Sequence, residues 1–288
     1  MTAPPRSPTR VRLGARRFRR NRRAVVGLGV LIVLAVVTLC PGLLTSRTPN
    51  DVDLTHSLVP PDAQHWFGTD NVGRDYLARA LYGGRVSMAI GLAAMAISVV
   101  VGTVVGSVAG YVAGYTDEAI SRAVDFVLSL PLFYVIVVIE MIFHPGAVGL
   151  VVLIGLTSWM VVARLVRGLV LSEKETEYVQ AARAMGAPAA RVIILHLLPN
   201  ILGPVIVTAS FNVGNAILLE SALSFLGVGI QPPQATWGNM IIGAQTYLFS
   251  APWIAIFPGI LITATVMAFM FVGDGLRDAF DVRMSVTR

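Results

Sequence analysis

Charge is what this sequence has least of. Asp, Glu, Lys and Arg make up 13% of its 288 residues, against roughly a quarter in an average soluble domain. The shortage is concentrated, since residues 24–46, 86–116, 192–219 and 221–273 contain none of the four. Apolar stretches of about 18 residues or more are candidates for crossing a bilayer, so the pattern excludes an ordinary soluble enzyme. It also excludes a disordered chain, which needs low hydrophobicity and high net charge; the mean hydropathy here is +0.74. Cysteine is nearly absent as well. Cys40 stands alone in an apolar run, so no internal disulfide forms and the thiol reads as inert. His56, His65, His144 and His196 are scattered without the spacing of a metal site, and no Gly-x-Ser-x-Gly nucleophile motif occurs. The single lysine, Lys174, follows no glycine-rich loop. The chain is therefore expected to have no catalytic residues, no metal and no ATPase site of its own.

What charge there is has a direction. Nine arginines fall between Arg6 and Arg23 with no acid among them, directly before the apolar run Ala24–Leu44. Such a block holds the start of a first helix in the cytoplasm. That position, rather than nucleic-acid binding, accounts for the basic balance of +6. The apolar run is too long, and Cys40-Pro41-Gly42 too poor a cleavage site, for a removed signal peptide. Expected spans are Ala24–Leu44, Val86–Val112, Ala123–Phe143, Val148–Val170, Ile201–Leu223 and Pro252–Val272. With this topology eighteen basic residues lie inside and four outside (Arg47, Arg74, Arg79 and Arg85), as the positive-inside rule requires. The fold class is an all-α integral membrane protein with six transmembrane helices and both termini cytoplasmic. Its parts are a basic cytoplasmic tail (1–23), a first transmembrane helix (24–44) and an extracytoplasmic lobe (45–85). A five-helix core (86–273) follows, containing an inner loop (173–200), and then a cytoplasmic tail (274–288). The apolar connection from Leu226 to Ala251 is too interrupted by Pro and Gly to span.

Within the spans, Gly102, Gly106, Gly110 and Gly114 recur every four residues, a stripe on which another backbone can pack closely. Packing inside the chain is the favoured reading; a dimer seam or sliding surface is the alternative. Acids embedded in a membrane default to functional candidates. Glu140 and Glu220 are placed near the outer ends of the third and fifth spans, as candidate pathway residues attracting an amino group or another cation; near an interface the cost of a charge shrinks, and for Glu220 a structural role is the favoured reading. Asp125, at the inner end of the third span, is read as structural. Arg164 and Arg167 share a helix face and are expected to snorkel toward anionic headgroups, with the inner mouth of a passage as the alternative. Trp66, Trp237 and Trp253 suit interfacial anchoring.

The inner loop is the most informative segment. Glu175–Met185 has no Pro or Gly and is rich in helix formers, Gly186 ends that helix, and Ala187-Pro188 turns the chain into a second helical stretch ending near Leu198-Pro199. The result is a short inner helix with the small residues Ala181, Ala182 and Ala184 on its surface. Gln180-Ala181-Ala182, Gly186 and His196-Leu197-Leu198-Pro199 resemble the coupling loop of permeases of binding-protein-dependent ABC importers. That pattern is Glu-Ala-Ala, three residues, Gly, nine residues, Ile-x-Leu-Pro, and here Gln180 and His196 depart from it. Other segments narrow the resemblance to the C-type permease of dipeptide and oligopeptide importers. These are Trp66-Phe67-Gly68-Thr69-Asp70 with Gly73-Arg74-Asp75, Leu223–Gly229, Gln231-Pro232-Pro233, Trp237–Met240 and Gly273–Asp278.

The resemblance implies the type I ABC importer permease fold and a peptide cargo. It also implies four kinds of partner: a second homologous permease subunit, two cytoplasmic P-loop ATPase subunits or a fused pair, an extracytoplasmic substrate-binding protein, and membrane lipid. ATP and Mg would be bound by the ATPase partners. On this reading Glu177, Gln180, Ala181, Ala182, Ala184, Gly186 and Pro199 form the ATPase-coupling surface, and Trp66, Arg74 and Trp237 are candidate contacts for the binding protein. Nickel, glutathione and haem importers are the alternatives of the same type. An ion-coupled secondary transporter would show inverted repeats around midplane ion sites, and no such repeat is evident. The expected location is a bacterial cell membrane.

Overall fold

The structure, a computed structural model, describes residues 10–280. The first nine residues of the basic tail and the last eight of the chain, with Arg283 and Arg288, lie outside the described residues. The elements are α1 (Arg10–Arg20), α2 (Arg22–Leu39), α3 (Tyr76–Val112), α4 (Gly114–Leu128), α5 (Leu132–Phe143), α6 (Gly146–Glu173), α7 (Glu177–Ala184), α8 (Ala189–Val192), α9 (Leu198–Phe225), α10 (Trp237–Met240) and α11 (Trp253–Phe280). Among the described residues, extended pairing is limited to the isolated bridge between Thr69 and Asp75. Among the described residues five helices are long and apolar enough to cross a bilayer, or six where the bent pair α4–α5 counts as one crossing. The fold is all-α, with five or six candidate spans against the six the sequence implies.

Several boundaries differ from the expected ones, each for a physical reason. The first span ends at Leu39 rather than Leu44, because Pro41 has no N–H to extend the ladder and Cys40 leaves helical geometry ahead of it. The second begins at Tyr76 rather than Val86. Asp75 caps it, its carboxylate accepting from the Ala78 N–H at 2.8 Å. The 37 residues of α3 reach about 55 Å, well beyond the roughly 30 Å hydrocarbon core. Arg79 and Arg85 belong to this helix, not to the lobe. Arg85 turns back onto α2, donating from Nη2 to the Leu39 carbonyl at 2.8 Å and so satisfying a C-terminal carbonyl that the ended helix leaves open.

The third span is corrected from one helix to two. α4 and α5 meet at 74° across Ser129–Pro131, where Pro131 interrupts the ladder. The helical stretch after Pro188 is also longer than expected. It continues through a π-helical turn, Ile193–Leu197, directly into α9. The wider turn pairs the Leu198 N–H with the Ile193 carbonyl, an arrangement suited to Pro199, which has no N–H to donate.

The glycine stripe packs within the chain. A Cβ on Gly102 would lie 2.7 Å from the Trp159 carbonyl oxygen, and one on Gly110 2.8 Å from that of Arg167, so α3 and α6 touch backbone to backbone. Gly114 does not belong to the stripe: it opens α4 at a φ of +58° with open space around it. α9 lies on the other side of α3, with Gly91 against Ile217. α11 packs between α9 and α2, where Gly27 meets the Ala268 backbone.

Candidate functional site

The loop between α6 and α9 folds as a small lever on the ends of those two helices. Val179 of α7 is buried in a cluster with Val166 and Val170 of α6, Val192 of α8 and Leu197. Ala182, three residues on and so on the same face, is also buried. This corrects the expectation that all three alanines are on the surface: Ala182 fastens α7 to the body, while Ala181 and Ala184 face outward. Glu177, Gln180, Met185, Gly186 and Pro199 are exposed as well, Met185 by 83%. Gly186 takes a φ of +80°, the left-handed helix ending that glycine adopts without strain. Gln180 donates to the Glu175 carbonyl at 3.1 Å, which folds its amide over the start of the helix. The Tyr178 hydroxyl donates to Glu173 at 2.6 Å and accepts from Asn200 at 3.0 Å, bracing the lever. Partial burial, then the bond to Glu173, push the Tyr178 phenol above its ordinary value.

Beside the lever, α4 is tied to α6 by two ion pairs. Asp117 is bound by both Arg167 nitrogens Nε and Nη2, and Asp125 accepts from Arg164 Nη2 at 2.5 Å. The two arginines do share one face, but they pair with acids on α4 instead of snorkelling to headgroups. Both arginines are met by a carboxylate within hydrogen-bond reach, the Asp117–Arg167 pair the more enclosed of the two. A hollow of about 150 Å³ remains between the helices, lined by Ser121, Asp125, Arg164 and Arg167 among others, so α4 is held by charge more than by close packing. The sequence reading missed Asp117; the available signal was Asp117, Ser121 and Asp125 spaced by four, one helix stripe facing the Arg164–Arg167 pair.

At the opposite end of the bundle the lobe and the Leu226–Ala251 connection form one cap. Asp70 is the hub of the lobe, accepting from the N–H groups of Val72 and Arg74 and from Arg74 Nε at 2.6 Å, with Arg79 Nε 3.8 Å away. Phe67 stacks on Phe257 of α11 with ring centroids 3.9 Å apart, and Trp253 donates to the Thr69 carbonyl. In the same lobe, the Thr55 hydroxyl and then His56 hold the Asp53 carboxyl down at about 2. Arg74 is thus largely committed to Asp70. Trp237 is corrected from a surface contact to a core residue, being 0% exposed. Its indole donates to the Ala80 carbonyl at 2.8 Å and its backbone N–H to Ser87 Oγ at 3.1 Å. Of the three residues proposed to meet a binding protein, Trp66 is the one left open, at 59% exposed.

The embedded acids have different settings. Glu220 is fully buried and takes hydrogen bonds from Ser224 at 2.8 Å, Ser87 at 3.3 Å and Ser221 at 3.4 Å. Enclosed by hydroxyls of its own chain, it faces no open passage here, which suits the structural role favoured for it and corrects the alternative placement in a vestibule. Glu140 is also buried, at 3% exposed, but its Oε1 has no hydrogen-bond partner. It lies one turn beyond Ile136 on the face of α5 that packs into the Ile90–Leu150–Leu223 cluster.

Comparison with known proteins gives consistent matches. The family model described as the binding-protein-dependent transport system inner membrane component matches residues 102–286. A second, the N-terminal TM domain of oligopeptide transport permease C, matches residues 9–61. The chain is 40% identical over 271 residues to a putative peptide permease protein of Brucella suis, covering 93% of this chain and 90% of that one. It is 38% identical over 269 residues to a dipeptide transport system permease protein of Alkalihalophilus pseudofirmus, covering 93% and 88%. It is 40% identical over 268 residues to an oligopeptide transport system permease protein of Escherichia coli K12, covering 92% and 89%.

Proposed function

Since the chain belongs to the family of inner-membrane components of binding-protein-dependent transport systems, we propose that it imports dipeptides or oligopeptides as one of two permease subunits of an ABC importer. In this reading it forms half of the passage across a bacterial cell membrane, with both termini in the cytoplasm. A substrate-binding protein delivers peptide to the outer cap, where Trp66 is the exposed aromatic. ATP is hydrolysed by P-loop subunits seated under α7, and their closure moves the spans between two states. Glu140 is buried in this state with one oxygen unpartnered, and in this reading movement of α5 brings it to the peptide amino group; a Glu140→Gln variant importing free and N-acetylated peptides at wild-type rate and KM would remove it from the passage.

The observation that carries the reading is the lever itself. Val179 and Ala182 anchor α7 to the body while Gln180, Ala181, Ala184, Met185 and Gly186 present a surface of small or flexible residues. A short helix of largely small residues, anchored to the body outside the spans, suits a cleft on a soluble partner. The test is purification of the tagged chain in mild detergent with whatever accompanies it. Ala184→Glu is expected to lose the ATPase subunits while keeping the second permease. Retention of the ATPase subunits at wild-type yield would exclude α7 as their docking site.

A further inference from the structure

The polar link from α7 to α3 is made by Arg183. Its guanidinium carbon lies 4.6 Å from the centroid of the Tyr111 ring, and its Nε donates to the Tyr111 hydroxyl at 3.3 Å. The same ring packs on the cluster that holds Val179, so Tyr111 meets the lever on two sides. Tyr111 is the penultimate residue of α3. Immediately after that helix the backbone takes two successive positive φ values, +58° at Ala113 and +58° at Gly114. Ala113, with ψ at −163°, occupies a region that glycine alone adopts freely, so the joint persists because its flanks hold it. On the near flank Lys174 Nζ donates to the Gly110 carbonyl at 3.0 Å, beside the Arg183–Tyr111 contact. On the far flank are the Asp117–Arg167 and Asp125–Arg164 pairs, and beyond them the 74° bend into α5, which bears Glu140.

From this geometry we infer that Arg183 and Tyr111 pass displacement of the inner lever to the Ala113–Gly114 joint, and so to α4 and α5. Arg183 is then a positioning residue for transport, acting through Tyr111, and not a docking residue for the ATPase. The inference rests on the reading that α7 meets an ATPase subunit. A joint in a sparsely populated backbone conformation, gripped by charged contacts at both sides, has the character of a two-state element that a partner can bias.

The test uses the complete importer in liposomes, with its companion permease, ATPase subunits, binding protein and a peptide cargo, and reads peptide imported per ATP hydrolysed. Arg183→Ala and Tyr111→Leu are each expected to lower that ratio by roughly fivefold or more, the lower end of typical coupling between sites. Both should retain the ATPase subunits at wild-type stoichiometry. The double variant is expected to be no worse than the worse single one, because both remove one contact. Tyr111→Phe, which keeps the ring under the cation, should keep most of the ratio. An unchanged ratio in Arg183→Ala, additive losses in the double variant, or loss of ATPase subunits from Arg183→Ala would each overturn the inference. If Tyr111→Leu does not assemble, Arg183→Ala decides alone, since Arg183 is exposed. A wild-type preparation lacking ATPase subunits, or importing without ATP, would instead overturn the reading beneath it, and is seen before any variant is made.

Discussion

At Glu220 the structural role favoured for an acid near a span end takes the form of organising the cap. Ser87 accepts from the Trp237 backbone N–H and donates to Glu220, and Ser224 accepts from the Ile230 N–H and donates to the other oxygen. One carboxyl thereby fixes two points of the Leu226–Ala251 connection to α3 and α9. Glu220→Ala leaves these hydroxyls facing a void and is expected to destabilise by roughly 2–4 kcal/mol, while Glu220→Gln, keeping shape and acceptor, costs about 1 kcal/mol. Thermal melts of the purified variants in one detergent check the order, and equal melting of the two would refute the cage. The aromatic pair separates in the same way. Trp237→Ala should cost about 3–5 kcal/mol by emptying a buried site, whereas Trp66→Ala, on an exposed side chain, should leave the melt unchanged and weaken only capture of the binding protein. Nothing local in the sequence distinguishes these two tryptophans. Trp237 is buried because the indole and Ala80, 157 positions away, meet in the fold, and single-sequence periodicity carries no such partner.

Elements were legible where a bilayer leaves a compositional mark. Long apolar runs of little or no charge located the spans, and the four-residue glycine period located the α3–α6 seam, because both are direct consequences of burying backbone in lipid or against backbone. Helix ends were less legible. The start of α3 at Asp75 hides among Arg74, Arg79 and Arg85, charges that read as loop until their partners Asp70 and the α2 carbonyls are seen. Pro131 did announce the break in the third span, yet apolarity on both sides of it outweighed the signal. The inward turn of Ala182 follows from a three-residue spacing to Val179 that was available in the sequence. The seam gives an element-scale prediction. Gly106→Ala places a methyl against the Val166 side chain and the Ala163 backbone, and should sharply reduce the folded protein recovered from membranes. Gly29→Ala on α2, where nothing lies within 4 Å, should match or exceed wild type, since alanine is favoured in a helix by roughly 0.5–1 kcal/mol. Fluorescence-detected size exclusion of solubilised membranes measures both, and equal recovery would remove the close approach from the account.

For the whole molecule, the number of crossings follows from how its two ends meet. Asn21 caps α2 and donates to Asp278 near the end of α11 at 2.9 Å, and Gly275 lies against Ala24. The start of the first span and the end of the last are therefore on one side of the membrane, which requires an even number of crossings. Five long helices alone would put them on opposite sides, so α4 and α5 must count as a single bent crossing despite their 74° angle. Which side that is rests on charge: the basic residues cluster at that end, and Lys and Arg favour the cytoplasm. The prediction is direct because Cys40 is the chain's one cysteine. In a Cys40→Ser background, Ala63→Cys in the lobe should react with a membrane-impermeant maleimide on intact spheroplasts. Met185→Cys, at the tip of the inner lever, should react only after lysis, its 83% exposure ensuring that silence beforehand reports sidedness and not burial. The reverse pattern would invert the molecule and put α7 beyond reach of any ATP-hydrolysing subunit. Labelling of both positions from outside would break the even count, and with it the treatment of α4 and α5 as one span.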